Sequence, residues 1–195
     1  MNIREAYILG VLCGDGWLTH YNKYYYEMGF QTKNKRFIFH IKKILERVSG
    51  KKHKVYVILG KTNKFSPNCR SFRIKFCSKK LYKKFENYLK NLNRIKFNKK
   101  EVKCSFLKGV YDSEGSFRLS YRTPARRYYR IRLTNKNKNL LKFCKKLLES
   151  IEIAVAGIYK NNNNTYVLGI YKKSSILSFM KNIGFSKSNI TRMVI

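Results

Sequence analysis

AYILGVLCGDGWL (residues 6–18) and SFLKGVYDSEGSF (residues 105–117) decide the reading of this chain. Sliding one over the other by 99 positions puts Gly10 on Gly109, Asp15 on Glu114 and Gly16 on Gly115. The correspondence continues outward. FQTKNKRFIFHIKKILERV (30–48) resembles LTNKNKNLLKFCKKLLESI (133–151), and RSFRIKFCSKKLYKKFENYLKNL (70–92) resembles NTYVLGIYKKSSILSFMKNIGF (164–185). Three blocks recurring in one order within 195 residues indicate a duplicated domain, because the period near 100 is too long for a solenoid repeat. The expected halves are 1–92 and 101–195, joined by the linker 93–100 (NRIKFNKK) and related by a pseudo-two-fold axis.

Each half reads α-β-β-α-β-β-α, an α+β pattern. Residues 4–14 are predicted as a helix and 17–32 as a Tyr-rich hairpin turning at Asn22-Lys23. Phe37, Ile38, Ile41, Ile44, Leu45 and Val48 have helical spacing within 34–49, and Gly50 is the stop. Strands are expected at 53–60 and 70–77, then a helix at 79–92. In 70–77, Phe72, Ile74 and Phe76 alternate with Arg73 and Lys75, one face apolar and one basic. Between those strands runs the loop 61–69. The second half repeats this as helix 101–113, strands 116–122 and 128–135, helix 137–150, strands 152–160 and 164–172, and helix 173–183. Asn161–Asn164 reads as a hairpin turn.

Lys and Arg number 44 against 10 Asp and Glu, a formal net charge of +34. Aromatics make up 15% of the chain, too many for a disordered polycation. No run of 18 apolar residues exists, so no membrane span is expected. Self-repulsion at this charge destabilises the compact state unless a polyanion relieves it. Nucleic acid is the leading partner. An anionic membrane surface comes second and would require a basic amphipathic helix. The five cysteines show no C-x-x-C pair or zinc spacing, and read as reduced, mostly buried thiols. With no secretory signal, the expected location is intracellular: a prokaryotic cytoplasm or an organelle matrix.

Acids are scarce, and only two are aspartates, Asp15 and Asp112. An acid near a phosphate-binding surface opposes the function of that surface, so one that persists there should have a job. Gly10 and Gly14, then Gly109 and Ser113, fall four apart and share a helix face. Small residues there let two backbones approach closely. Asp15 and Glu114 follow at once. Two helices packed along these stripes would bring both carboxylates together at their C-terminal ends, where the helix dipoles also repel negative charge. The pair then needs cations. Hard oxygen ligands indicate Mg²⁺, completed by water and substrate phosphates, with other divalent cations such as Mn²⁺ as substitutes.

These residues resemble the LAGLIDADG homing endonuclease family. The motif falls on Ile8-Leu9-Gly10-Val11-Leu12-Cys13-Gly14-Asp15-Gly16 and on Leu107-Lys108-Gly109-Val110-Tyr111-Asp112-Ser113-Glu114-Gly115. The resemblance covers essentially the whole chain. It implies the LAGLIDADG fold, with saddle-shaped antiparallel sheets, in a monomer that carries both motifs. It also implies an intron-encoded, Mg-dependent enzyme that cuts both strands of a long, asymmetric DNA target. The family's metal acid, directly before the last glycine, maps to Asp15 and Glu114. The family's first acid position is Cys13 in one copy and Asp112 in the other, and it is not a metal ligand there. Beside Ser113, Asp112 is expected to point away from the helix contact. Lys108 stands where a small residue is usual.

The family also places a loose pocket of polar and basic residues near each scissile phosphate. Repeat alignment sets Gln31, the chain's one glutamine, opposite Thr134, and Lys33 opposite Lys136. Gln31, Lys33 and Lys136 are therefore the catalytic candidates beside the acids.

DNA recognition is expected from the strands, since a two-stranded ribbon fits the major groove. In the second half the candidates are Arg118, Ser120, Arg122, Arg126, Arg127, Arg130, Arg132 and Thr134. In the first half they are His20, Asn22, Tyr24, Arg70, Arg73 and Lys75. The competing reading is a non-catalytic scaffold: an RNA maturase bound to host intron RNA, or a DNA-binding regulator. An intein is not expected, because the chain starts with Met and ends in RMVI without His-Asn.

Overall fold

The computed structural model describes residues 1–22, 24–59, 70–123, 126–161 and 163–186; at 121–123 and 126–127 it describes the backbone only. The first half runs α1 (Ile3–Leu12), β1 (Gly16–Asn22), β2 (Tyr25–Thr32), α2 (Lys35–Ser49), β3 (Tyr56–Leu59), β4 (Arg70–Cys77) and α3 (Lys79–Lys90). The second runs α4 (Lys100–Glu114), β5 (Gly115–Thr123), β6 (Arg126–Asn135), α5 (Lys138–Glu149), β7 (Tyr159–Lys160), β8 (Tyr166–Ile170) and α6 (Lys173–Asn182). A 3₁₀ turn at Leu92–Arg94 opens the segment between them. Each half holds a four-stranded antiparallel sheet, in the orders β1-β2-β4-β3 and β5-β6-β8-β7. Identical strand order in both halves is the fold-level trace of the duplication.

Local chemistry sets the helix limits. Asn2 and Glu5 form a reciprocal capping box at the start of α1, and the Asn34 side chain caps α2 by accepting from Phe37 N. Gly50 ends α2 in the left-handed region at φ 69°, a conformation that costs glycine little. A cap contributes about 1 kcal/mol. Burial contributes more: Phe37, Ile38, Ile41 and Leu45 of α2 are at most 2% exposed, at about 1.5–3 kcal/mol each. Packing, rather than intrinsic propensity, therefore holds this helix.

One contiguous core runs through both halves, from Tyr7, Ile8 and Val11 of α1 through Phe106, Leu107 and Val110 of α4 to both sheets. In the first sheet Tyr26, Met28, Phe30 and Ile74 face the helices; in the second Ile131, Leu133, Leu168 and Ile170 do. The opposite faces of both sheets carry the polar residues.

Three expectations need correction. Residues 152–160 form a strand only at Tyr159–Lys160. Ile151 and Ile153 are buried with the spacing of a strand, but Glu152 between them has φ 64°, and Ile153 N still bonds to Leu148 O of the preceding helix. Helix α1 ends at Leu12, and Cys13–Asp15 form a turn. The described thiols are mixed in exposure: Cys144 is buried, Cys13 and Cys104 are intermediate, and Cys77 is exposed. The loop 61–69 lies outside the described residues. Among the described residues no helix is long and apolar enough to cross a membrane.

Candidate active site and nucleic-acid interface

Helices α1 and α4 touch backbone to backbone. A Cβ added to Gly10 would stand 2.2 Å from Phe106 O, and one added to Gly109 would stand 2.2 Å from Tyr7 O. One turn further on, a Cβ on Gly14 would lie 2.4 Å from Ser113 Oγ and 2.7 Å from Glu114 Cγ. The Glu114 side chain therefore occupies the space that glycine leaves directly before Asp15. Ser113 turns its hydroxyl back to Gly109 O and Val110 O, both at 3.0 Å, so it leaves the contact surface smooth. Lys108 does not intrude; its ammonium donates to Ile183 O at 3.2 Å.

Both acids are half-buried. Gln31 N donates to Asp15 O at 3.3 Å, which extends the β1–β2 ladder and sets Gln31 beside the acid. In the second half the β5–β6 pairing begins at Gly115 and Leu133, so Thr134 is the next β6 residue beside the end of α4 at Glu114. Lys33 and Lys136 occupy matching exposed positions between strand and helix. Asp15 and Glu114 are hard, anionic donors that suit a cation such as Mg²⁺. Among the described residues no group of three or more His, Cys, Asp or Glu forms a closed metal cage. Two carboxylates alone would leave most coordination positions of such an ion to water and phosphate.

Asp112 is elsewhere. It is fully buried, accepting from Tyr7 Oη at 2.8 Å and from Ser186 N at 2.7 Å. Instead of pointing away from α1, it bonds to Tyr7 of α1, because the long tyrosine reaches around the helix contact. Burial, and then the Asp112 charge, push the Tyr7 hydroxyl well above its ordinary value, so it stays a donor. His40 packs edge-on to Tyr7, and burial lowers it, against the opposing pull of Asp112. This network ties α1, α2, α4 and the segment after α6 together. Burial also pushes the Cys13 thiol up to about 12, which keeps it protonated beside the acids.

Register sorts the recognition candidates. Arg118 pairs with Arg130, Ser116 with Arg132 and Ser120 with Tyr128, so Arg118, Ser120, Arg130, Arg132 and Thr134 share the sheet face away from the core. Like charges directly opposite destabilise a sheet unless counter-charge is supplied. Arg130 Nε and Arg132 Nε are buried with no hydrogen-bond partner among the described residues. Arg73 and Lys75 lie on the corresponding face of the first sheet. His20 and Arg70 do not. His20 pairs with Tyr26 and stacks on its ring at 4.4 Å, and Arg70 shares the parity of Phe72 and Ile74. Asn22 caps the hairpin turn by accepting from Tyr24 N and Tyr25 N, while Tyr24 is 89% exposed at the tip. The side chains of Arg122, Arg126 and Arg127 lie outside the described residues.

Sequence reasoning passed over Trp17 and Glu27, which stand on the polar face of the first sheet with Arg73. The signal was available. Counting by twos from Tyr26, Met28 and Phe30 gives the core parity and leaves Glu27 and its strand partners outside it.

Paired helices with duplicated acids, under two sheets that turn basic faces outward, define the LAGLIDADG architecture, and comparison with known proteins agrees. A LAGLIDADG-like domain matches residues 101–184, and the WhiA LAGLIDADG-like domain matches residues 4–65. The chain belongs to the LAGLIDADG family, in its two-motif form. It is 31% identical over 169 residues to an uncharacterized protein of Methanocaldococcus jannaschii, a match that covers 84% of this chain and 60% of that one. The chain thus spans about three fifths of that relative's length. Among solved structures, the homing endonuclease I-DmoI in complex with DNA and Mn is similar at TM-score 0.68 and 25% identity, over 94% of this chain and 98% of that one. Full-length DUF199/WhiA from Thermatoga maritima shares the fold at TM-score 0.64 and 19% identity, over 95% of this chain and 56% of that one.

Proposed function

We propose that this protein is a site-specific, Mg²⁺-dependent endonuclease that cuts both strands of a long, asymmetric duplex. The observation that carries the reading is the acid pair. Two acids in duplicate positions follow helices that touch at glycine, with the Glu114 side chain against Gly14, beside sheet faces that carry Arg73, Lys75, Arg118, Arg130 and Arg132. A protein that only bound DNA would gain affinity by losing both acids. A bound Mg²⁺ would lower the pKa of a water and screen charge on the scissile phosphate.

The chain's own residues do the rest. Asp15 and Glu114 hold the cation. Gln31 and Thr134 flank them, and Lys33 and Lys136 supply positive charge at the strand ends. Arg73, Lys75, Arg118, Arg130 and Arg132 hold the duplex by phosphates and base edges. One chain supplies both acids, so a monomer suffices, and unlike halves suit an asymmetric site.

A non-catalytic DNA binder is the second reading, favoured by the match of residues 4–65 to the WhiA LAGLIDADG-like domain. Adding Mg²⁺ to a preformed DNA complex separates the two, since only the enzyme releases shortened strands.

Binding itself should be strongly salt-dependent. Each phosphate neutralised steepens the fall of affinity with salt by about 0.9 on a log–log plot. With several arginines on the two faces, we expect a slope of about −5 or steeper in a duplex titration across salt concentrations. A flat response would exclude phosphate-dominated binding.

A further inference from the structure

The outer face of the first sheet carries an acid where a polyanion binder should have none. Glu27 is 6% exposed, midway along β2. Its Oε1 accepts from Trp17 Nε1 at 3.1 Å, and its Oε2 lies 3.4 Å from Tyr25 Oη and 3.6 Å from Lys75 Nζ. A buried carboxylate is costly unless paired. On a face meant for phosphate it also repels the ligand, so its contacts must achieve something that an apolar residue could not.

What they achieve is to fix Trp17. The indole lies across Gly29, where a Cβ would fall 2.1 Å from its ring. Glu27 holds the ring's one polar atom. The Arg73 guanidinium sits over the indole, 5.7 Å from its centroid. Arg73 Nε and Nη2 both donate to Gln31 Oε1, at 2.9 and 2.6 Å. The Gln31 amide donates in turn to Ser71 Oγ at 2.9 Å, and its backbone meets Asp15 O. Arginine has five donors in a rigid fork. Gln31 takes the Nε and Nη2 donors, which sets the orientation of the remaining guanidinium donors, over a ring held at Nε1 by Glu27.

We propose that Arg73 is a base reader for a guanine in the half-site beneath the first sheet, and that Glu27 is its positioning residue, acting through Trp17. The inference rests on the DNA-binding reading above. Bidentate donation to guanine O6 and N7 is the geometry that a pre-oriented guanidinium fork supplies. Glu27 adds no affinity. It trades affinity for discrimination, because removing its charge lets DNA approach more easily, while removing its acceptor oxygen frees the ring under Arg73.

Trp17 is the chain's one tryptophan, so its fluorescence reports on this assembly directly. The test selects bound duplexes from a randomised pool in EDTA with wild type, Glu27→Leu, Trp17→Phe and Arg73→Ala; leucine removes both the charge and the acceptor for Trp17 Nε1 at similar volume. Wild-type emission should change saturably as the enriched duplex is added. In Glu27→Leu the free protein's emission should shift, and affinity for the unselected pool should hold or rise. Preference for guanine at one position should fall roughly ten- to hundredfold, the range of a lost bidentate contact. Arg73→Ala should lose preference at that same position, Trp17→Phe should weaken it, and the double variant Glu27→Leu/Arg73→Ala should be no worse than Arg73→Ala. Unchanged preference at every position in Glu27→Leu, or a uniform loss of affinity, overturns the proposal while DNA binding stands. A wild-type protein that retains duplex but enriches no sequence also overturns the proposal, and one that retains no duplex overturns the DNA-binding reading as well.

Discussion

Asp15→Asn and Glu114→Gln each reduce cleavage of a plasmid carrying the target by roughly a thousandfold, on the proposed mechanism. A metal contributes several kcal/mol of transition-state stabilisation, and each 1.36 kcal/mol is tenfold in rate. Both changes keep the shape of the side chain and remove the charge that holds the cation. DNA affinity without metal should survive and could tighten, since a carboxylate facing the phosphates is gone. The products report how the ions are arranged. If the acids share one ion, either change leaves supercoiled circles intact; if each half works alone, nicked circles accumulate. Full linear product at the wild-type rate from either variant would remove these acids from catalysis and favour the binder.

The second large effect is on stability. Alanine is about 1 kcal/mol better than glycine inside an ordinary helix, so Gly10→Ala and Gly109→Ala would stabilise two helices that stood apart. Here each new methyl meets a backbone carbonyl at 2.2 Å, and backbone cannot rotate away as a side chain can. The helices must separate, which opens the core between Tyr7, Val11, Phe106 and Val110. Overpacking of this kind costs about 3 kcal/mol or more. For a chain of this size that lowers the melting temperature by about 6–12 °C. Cleavage should fall further than stability accounts for, because Glu114 ends one of these helices and Asp15 stands in the turn that follows the other. A melting temperature at or above wild type would contradict the close contact.

The duplication and the acid positions were legible because repetition is a property of the sequence itself. Gly10 and Gly109 align whether or not the helices are seen to meet. Helix ends were legible where a capping residue marks them, as at Asn34 and Gly50. The segment around Ile151 was not, because burial at every second residue is shared by strands and by coil that drapes over a core. His20 and Arg70 have the chemical type of a DNA contact, but parity decides which face a strand residue joins. Glu27 escaped because it looks unsuited to a basic interface when read alone. Its partners lie ten residues before it and on a strand nearly fifty residues later, and only the strand register brings Trp17, Lys75 and Arg73 to one place.

The most direct test of the central claim is cleavage within a randomised duplex pool already enriched for binding. The bound pool is given Mg²⁺ or EDTA, and the ends of every product are sequenced on both strands. The account predicts breaks on both strands, at a fixed spacing within one enriched sequence, in Mg²⁺ and none in EDTA. Tight, selective binding with no new ends in Mg²⁺ or Mn²⁺ would contradict it.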